Sequence, residues 1–346
     1  MPRLSFLVAA LLTSVTSLSS GSAETLRSIP GPDGGWDYAS VDPTAGQLYI
    51  ARGTSITAID LSGSTPARSI GEVDHGHAVV PLPGNRLLVT SGRDGTVRLL
   101  DAKDGRELSR LTVGNNPDAA IYDPATQRAY VMVAKDGTVA VIDTTAFRLA
   151  GTVPLKPGLE FAAIGMDGTL FVNNEDANEI ETVDTHSLKM AAPIALPGCE
   201  GPSGLAYDKA SGRLVAACAN GQAAVVDART KRLTALVAIG KGPDAVILDA
   251  DHHRVFIPCG KSAELDVIPL DRTMPVRVSA RITTEAGART GAMDPRTGTL
   301  YLPTARFGPA TTPGGRPMAL AGSFHVLAIH WDAPRAQAGH RAIGKG

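Results

Sequence analysis

Residues 118–155 read DAAIYDPATQRAYVMVAKDGTVAVIDTTAFRLAGTVPL. Short apolar runs with the length and the Val, Ile and Ala content of β-strands occupy residues 118–122, 128–133, 138–143 and 148–155. Between the second and third runs, Lys-Asp-Gly at 135–137 supplies the positive φ angles of a tight hairpin turn. The segment therefore predicts one antiparallel sheet of four strands, named a to d in chain order.

The third run recurs along the chain at a constant spacing. Six copies end at residues 60, 101, 143, 184, 227 and 269, so consecutive copies lie 41 to 43 residues apart. A period of this size, filled with short strands, is typical of β-propeller blades. In the same frame, strand a begins near Asp37, His77, Asp118, Glu160, Ser203, Asp244 and Arg289. The repeat therefore predicts an all-β, seven-bladed β-propeller.

At the C-terminal end of the repeats, the sequence predicts only three strands for the seventh blade. Its strands a, b and c are expected at 289–294, 299–304 and 324–330, with a Pro- and Gly-rich insertion at 307–323. Residues 25–30, TLRSIP, are similar in pattern to strand d of the third blade. We therefore expect the N-terminal strand to complete the last blade, which closes the ring and removes an open sheet edge.

The N-terminus has the pattern of a secretory signal. Arg3 supplies positive charge, residues 4–15 are apolar, and Gly-Ser-Ala at 21–23 is a small-residue cleavage site. The apolar run is short for a transmembrane anchor, and no other segment could span a bilayer. We therefore expect a signal peptide over 1–23, a propeller over 24–331 and a disordered tail over 332–346. Our overall expectation is an exported, monomeric protein.

The charge balance argues against nucleic acid as a partner. The whole chain has a formal net charge of −1, and removal of the signal segment takes away Arg3 and no acid, which leaves −2. A near-neutral protein has no bulk attraction for nucleic acid or for anionic lipid.

Three cysteines, at positions 199, 218 and 259, leave two pairings open. An exported chain can keep a disulfide. Cys199 and Cys218 lie in the same blade, whereas Cys218 and Cys259 occupy matching positions on neighbouring blades.

The residues that open strand a should surround one mouth of the central channel, because strand a lines the axis of a propeller. Polar residues of the b–c loops should join them on that face: Arg52, Arg93, Lys135, Asn174, Glu175, Lys261 and Arg306. Convergent polar groups in a central pocket are typical of a binding site. We expect this mouth to bind a small polar molecule or a loop of a partner protein, through Asp37, His77, Asp118, Glu160, Ser203, Asp244, Arg289 and Arg306.

Two cation sites are conceivable within the same set. Asp118, Glu160 and Asp244, with Asp37 as an alternative, offer the hard oxygen ligands that Ca²⁺ or another divalent cation prefers. His75 and His77 form a His-x-His pair that could hold a transition metal, with Asp37 or Asp118 as a third ligand.

The repeat resembles that of the YncE-like, YVTN-type propellers. The resemblance rests on DPATQRAYV at 123–131 and DGTVAVID at 136–143, and it covers roughly residues 30–330. CEGPSGLA at 199–206, GARTGAMDP at 287–295 and YLPTA at 301–305 are similar to an exported subgroup of that family. The resemblance implies a periplasmic seven-bladed propeller and brings no catalytic motif with it. The second and fourth blades depart from the pattern, with Pro81 and Gly165 where other blades have the turn aspartate.

Two functions therefore stay open. The first is a binding module with no reaction of its own. The second is a divalent-metal-dependent hydrolase of lactone type, by analogy with lactonases that share such a fold. In the second case His77, Glu160 and Arg289 are the candidate catalytic residues. Glu160, with Asp118 and Asp244, would hold a cation that polarises a carbonyl and activates water. His77 or an uncoordinated acid would be the general base, and Arg289 would steady an anionic group.

Overall fold

The computed structural model describes residues 23–309 and 317–331. Within these ranges the chain forms 28 strands and no helix, so no described segment is a helix that could cross a membrane. The strands assemble into seven separate four-stranded antiparallel sheets, which confirms the seven-bladed propeller. Apart from Ala23, the predicted signal segment lies outside the described residues, as do the predicted tail and residues 310–316 of the insertion.

Each of the first six blades takes four consecutive strands, and the chain begins with a strand of the seventh. That first strand is β1 (Ala23–Pro30). Blades one to three contain β2 (Trp36–Asp42), β3 (Gln47–Arg52), β4 (Ile56–Asp60), β5 (Arg68–Ile70), β6 (Gly76–Leu82), β7 (Arg86–Ser91), β8 (Thr96–Asp101), β9 (Glu107–Thr112), β10 (Pro117–Asp123), β11 (Arg128–Val133), β12 (Thr138–Asp143) and β13 (Arg148–Pro154). Blades four to six contain β14 (Leu159–Ile164), β15 (Thr169–Asn174), β16 (Glu179–Asp184), β17 (Lys189–Ala195), β18 (Pro202–Asp208), β19 (Arg213–Cys218), β20 (Gln222–Asp227), β21 (Arg232–Ala238), β22 (Ile247–Asp249), β23 (Arg254–Cys259), β24 (Glu264–Pro269) and β25 (Ala280–Thr283). Blade seven adds β26 (Ala292–Asp294), β27 (Thr299–Thr304) and β28 (His325–Trp331) to β1.

The N-terminal strand closes the ring as expected. β1 pairs antiparallel with β28 in the sheet order β1-β28-β27-β26, with Ile29 opposite Val326 and Ser28 opposite Leu327. The first and last described strands are thus held together by a sheet ladder, and β28 has a paired strand on both sides.

The core lies between neighbouring blades. Strands b and c are nearly buried along their length, and each apolar cluster draws side chains from adjacent sheets. Tyr49 of blade one, for example, belongs to the same cluster as Leu87 and Leu100 of blade two. Because a blade buries its faces only against its neighbours, the stability of each blade depends on the complete ring.

A β-bulge recurs at the start of strand a. In blades one to five the register shifts between Trp36 and Ala39, Gly76 and Val79, Pro117 and Ala120, Leu159 and Ala162, and Pro202 and Leu205. A bulge leaves a residue unpaired and turns its side chain in a new direction. In every case the interrupted stretch contains the residue predicted for the channel mouth.

In blades six and seven, strand a begins later in the sequence than predicted. The regular ladder of strand a begins at Ile247 and Ala292, three residues after Asp244 and Arg289. An isolated bridge between Pro243 and Cys259 precedes it in blade six. The two predicted site residues therefore lie in the loop before the strand and not in the strand itself.

The disulfide joins Cys199 to Cys218, across 19 residues of sequence. The alternative pairing of Cys218 with Cys259 is wrong, since Cys259 is a free, buried thiol in strand b of blade six. Burial, followed by the nearby carboxylates of Asp266 and Glu264, raises the pKa of Cys259 to about 12. A thiol of this kind is a poor nucleophile at neutral pH.

Candidate functional site

Three of the predicted mouth residues meet in direct contact. Nδ1 of His77 lies 2.8 Å from Oδ2 of Asp37 and 3.2 Å from Oδ1 of Asp118, so one ring nitrogen of blade two contacts carboxylates of blades one and three. All three side chains are mostly buried but keep some exposure to solvent. The contact joins three successive blades at the channel mouth.

The second ring nitrogen of His77 faces the protein. Its Nε2 is buried and has no hydrogen-bond partner among the described residues. It packs against Gly92, where an added Cβ would lie only 2.8 Å from Nε2. Burial disfavours the imidazolium, but the hydrogen bond with Asp37 and the charges of Asp118 and Asp37 outweigh it and raise the pKa of His77.

Blades six and seven contribute a second ion pair to the mouth. Nε of Arg289 donates to Oδ2 of Asp244 at 2.8 Å. The Ser203 hydroxyl donates to the carbonyl oxygen of Asp244 at 3.0 Å, which fixes the backbone of this loop. Ser203 therefore contributes to the mouth through a hydrogen bond to the backbone. Arg289 contributes a positive charge, and its side chain is 42% exposed.

The residues that begin strand a form an acidic ring around the mouth, and three of its acids, Glu160, Asp118 and Asp244, have a raised pKa. Burial, and then the charges of Asp118, Glu175 and Asp244, raise the pKa of Glu160 to about 10. Burial is also the main cause at Asp118, whose pKa rises to about 7 although His77 opposes the shift. The pKa of Asp244 rises to about 6 for the same reason, against the effect of Arg289. Among the residues that begin strand a, there are thus four carboxyl groups for one His and one Arg.

Two aromatic residues form the floor below the acidic ring. Tyr38 is buried and its hydroxyl has no hydrogen-bond partner among the described residues, while its ring centroid lies 4.8 Å from that of Phe161. Burial, followed by the charge of Asp244, raises the pKa of Tyr38 well above its ordinary value. Beyond this pair, a cavity of about 1030 Å³ lined by Tyr38 and Phe161 opens toward the a–b turns on the other face.

This aromatic floor was not predicted from the sequence, although a signal for it exists. Tyr38 and Phe161 each directly follow a ring residue. At the same position the other blades have small residues: Ala78, Ala119, Gly204, Ala245 and Thr290. Two large rings at a position otherwise filled by small side chains could have indicated a constriction.

Two of the predicted rim residues serve the structure instead. Arg52 is buried; its guanidinium donates to the carbonyls of Gly35 and Pro32 and lies 4.0 Å from the centre of the Phe324 ring. Burial lowers the pKa of Arg52 to about 10. Asn174 is also buried and donates to the carbonyl of Pro157. The prediction that these two side chains face the mouth is wrong, because each is needed to satisfy loop carbonyls.

The other predicted rim residues remain accessible to solvent. These exposed side chains are Arg93, Lys135, Glu175, Lys261 and Arg306. Glu175 adds to the negative charge around Glu160, as the raised pKa of Glu160 shows. Arg306 lies at the start of the blade-seven insertion, where its backbone N–H donates to the hydroxyl of Ser323.

The geometry favours a different cation site from the oxygen-only set. Among the described residues, ligand atoms of Asp37, His77 and Asp118 lie within 4.8 Å of one another, close enough to share one ion. Of the expected oxygen set, Asp118 and the alternative Asp37 belong to this group, whereas Glu160 and Asp244 do not. Of the expected His-x-His pair, His77 belongs to it and His75 does not. The mixed nitrogen and oxygen donors suit a transition metal better than Ca²⁺.

Comparisons with known proteins identify the architecture alone. No protein-family model matches the chain, and no curated protein matches it in sequence. Among solved structures, a chain of hydrazine synthase from Kuenenia stuttgartiensis is similar with a TM-score of 0.67 and 15% identity, over 84% of this chain and 96% of that chain. A chain from the crystal structure of a mitotic checkpoint complex is similar with a TM-score of 0.73 and 13% identity, over 95% of this chain and 99% of that chain. At these identities the likeness shows the propeller fold and carries no function with it.

Proposed function

We propose that this protein is an exported binding protein that holds a small polar ligand at the mouth of its propeller channel. The observation that carries the proposal is the convergence of Asp37, His77 and Asp118 with Glu160, Asp244 and Arg289 on one opening. Six blades of different local sequence turn an ionisable side chain toward the same place. Export rests on the signal-like N-terminal pattern in the sequence.

The charges at the mouth indicate the chemistry of the ligand. Glu160 and Asp118 are held in a crowded, mostly buried group of acids, and each additional negative charge raises the pKa of the others. A ligand that brings ammonium or several hydroxyl donors would relieve this repulsion, since hydrogen bonds and positive charge favour the ionised carboxylates. A loop of a partner protein could present the same groups, for instance through a lysine side chain.

Replacement of Asp118 tests the proposal. We expect thermal-shift screening of the purified protein against amines, amino acids, sugars and lactones to find ligands that raise its melting temperature. Asp118→Asn should weaken those ligands by about tenfold or more, because it removes one charge-assisted hydrogen bond. Asp251→Asn is the matched control, since Asp251 is exposed in an a–b turn on the opposite face. Equal affinities for wild type and Asp118→Asn would contradict the proposal.

A divalent cation at Asp37, His77 and Asp118 is the second candidate, and it would support the hydrolase hypothesis. The specific observation is the cluster of ligand atoms within 4.8 Å. When bound there, a cation would polarise a carbonyl or activate water. His77→Gln, which removes the nitrogen ligand, would then lose that cation.

Elemental analysis separates this candidate from the first. The cation hypothesis predicts about one equivalent of metal in the purified wild type, its loss in His77→Gln, and lactone hydrolysis that a chelator abolishes. Metal content near zero, after dialysis into metal-containing buffer as well as before, would reject the cation and with it the metal-dependent hydrolase.

A further inference from the structure

A second cavity lies beside the acidic ring, on the same face of the propeller. It has a volume of about 620 Å³ and is lined by residues of blades five, six and seven, among them Lys261, Arg289 and Phe307. This volume is in the range of pockets that take small organic molecules. Of the ring residues, only Arg289 reaches it, so the cavity is chemically distinct from the carboxyl cluster of blades one to four.

Glycines make room for the side chains that line this cavity. A Cβ at Gly287, whose φ is +90°, would lie 2.5 Å from the Phe307 ring. A Cβ at Gly242, whose φ is +68°, would lie 2.5 Å from the aliphatic stem of Lys261. The aromatic ring and the lysine stem therefore lie flat on bare backbone. The N–H of Gly287 donates to the carbonyl of Gly260 at 2.8 Å, and that of Gly260 donates to Gly242 at 3.0 Å, so the floor is held by hydrogen bonds.

The polar groups of the cavity are positive. Lys261 is exposed and makes no ion pair with any residue that the structure describes. Nε of Arg289 donates a hydrogen bond to Asp244, and the side chain of Arg289 remains 42% exposed beside the cavity. None of the described residues that line the cavity is acidic. Ammonium and guanidinium groups on an otherwise apolar surface match a carboxylate ligand.

The apolar surface of the cavity comes in part from two described residues of the blade-seven insertion, Phe307 and Pro317. Phe307 is 37% exposed, and its ring centroid lies 6.3 Å from that of Trp36. Pro317 lies on the same wall of the cavity. A partly exposed aromatic ring next to a cationic edge provides a stacking surface for a flat or branched hydrocarbon body.

We infer that this cavity binds a small organic carboxylate, with its anionic end at Lys261 and Arg289 and its apolar body against Phe307. The inference does not require that the acidic ring be occupied. The two sites lie side by side, so one ligand with a positive and a negative end could fill both, but each can be tested alone.

Titration with 3-phenylpropionate and its neutral amide tests the inference. We expect saturable binding of the acid to the full mature chain by calorimetry or ligand-observed NMR. The amide should bind at least about tenfold more weakly, as expected for loss of a charge-assisted hydrogen bond. Lys261→Gln should weaken the acid by about tenfold and the amide hardly at all. Phe307→Ala should weaken both compounds, because it removes the stacking surface.

Two control variants keep the result interpretable. Lys209→Gln removes an exposed lysine from an a–b turn on the opposite face and should change nothing. Asp118→Asn, which tests the acidic ring, should leave binding of 3-phenylpropionate within about threefold of wild type. Absence of saturable binding, or equal binding of acid and amide that Lys261→Gln does not affect, would overturn the inference. Failure of the Asp118→Asn prediction for amine and sugar ligands would overturn the proposed function and leave this inference standing.

Discussion

Deletion of residues 1–30 is expected to leave a protein that does not fold stably, whereas deletion of residues 1–22 is expected to preserve the propeller. The longer deletion removes β1, whose residues pair with β28 along its whole length. It exposes the edge of β28 and removes Ile29, which packs against the apolar cluster that the first and last blades share. The loss should exceed about 5 kcal/mol in the free energy of unfolding, which is comparable to the whole stability of many domains.

Circular dichroism, thermal melting and size-exclusion chromatography of the two deletion variants measure this effect. The shorter deletion is the matched control, because it keeps Ala23 and every residue of the strand. We expect it to melt within a few degrees of the full-length chain. A variant without residues 1–30 that stays monomeric and melts at the same temperature as the control would show that ring closure through β1 is unnecessary for stability.

The propeller could be predicted because its determinants are local and repeated. Each blade carries its own strand pattern and turn residues, so the 41–43 residue spacing of copies such as Asp101 and Asp143 gives the number of blades. The closing strand could also be predicted, since TLRSIP at 25–30 has the pattern of an outer strand and blade seven lacked one. Both inferences needed only the positions of the strands within each repeat.

The detailed site could be predicted only in part because it depends on contacts between blades. The frame of the repeat indicated that Asp37, His77 and Asp118 open their strands. It gave no information on the bulges that turn these side chains, or on which of them touch. Arg52 shows the same limit: its sequence position predicted a rim cation, but the carbonyls it satisfies lie in a loop 17 to 20 residues earlier.

The crowded carboxyl groups of the acidic ring lower the stability of the folded protein. Buried acids that repel one another are retained in folded proteins when another role requires them, so their removal often stabilises. Glu160 is the extreme case, with a pKa near 10 and no basic side chain among the groups that shift it. Its replacement therefore offers the clearest measurement of this cost.

Glu160→Gln is expected to raise the free energy of unfolding at pH 8 by about 2 kcal/mol or more, and by much less at pH 5. The folded pKa of Glu160 is raised to about 10 from an ordinary value of 4.5. Between these values the folded protein must keep a proton that the unfolded chain releases, so stability falls as the pH rises through this window. Glutamine has the shape of the protonated acid and does not titrate. The raised pKa of Asp118, about 7, and that of His77 give the wild type the same sign of pH dependence.

Urea unfolding of wild type and Glu160→Gln at pH 5, 6.5 and 8 measures the difference. Asp251→Asn serves as the control and should stay within about 0.5 kcal/mol of wild type at each pH, since it changes an exposed acid in a turn. The gain should grow steadily with pH if the carboxyl group of Glu160 is uncompensated. A loss of stability at pH 8 would mean instead that the ionised carboxylate has a positive partner in the purified protein, and a bound cation at the mouth would then be the first explanation to test by dialysis against a chelator.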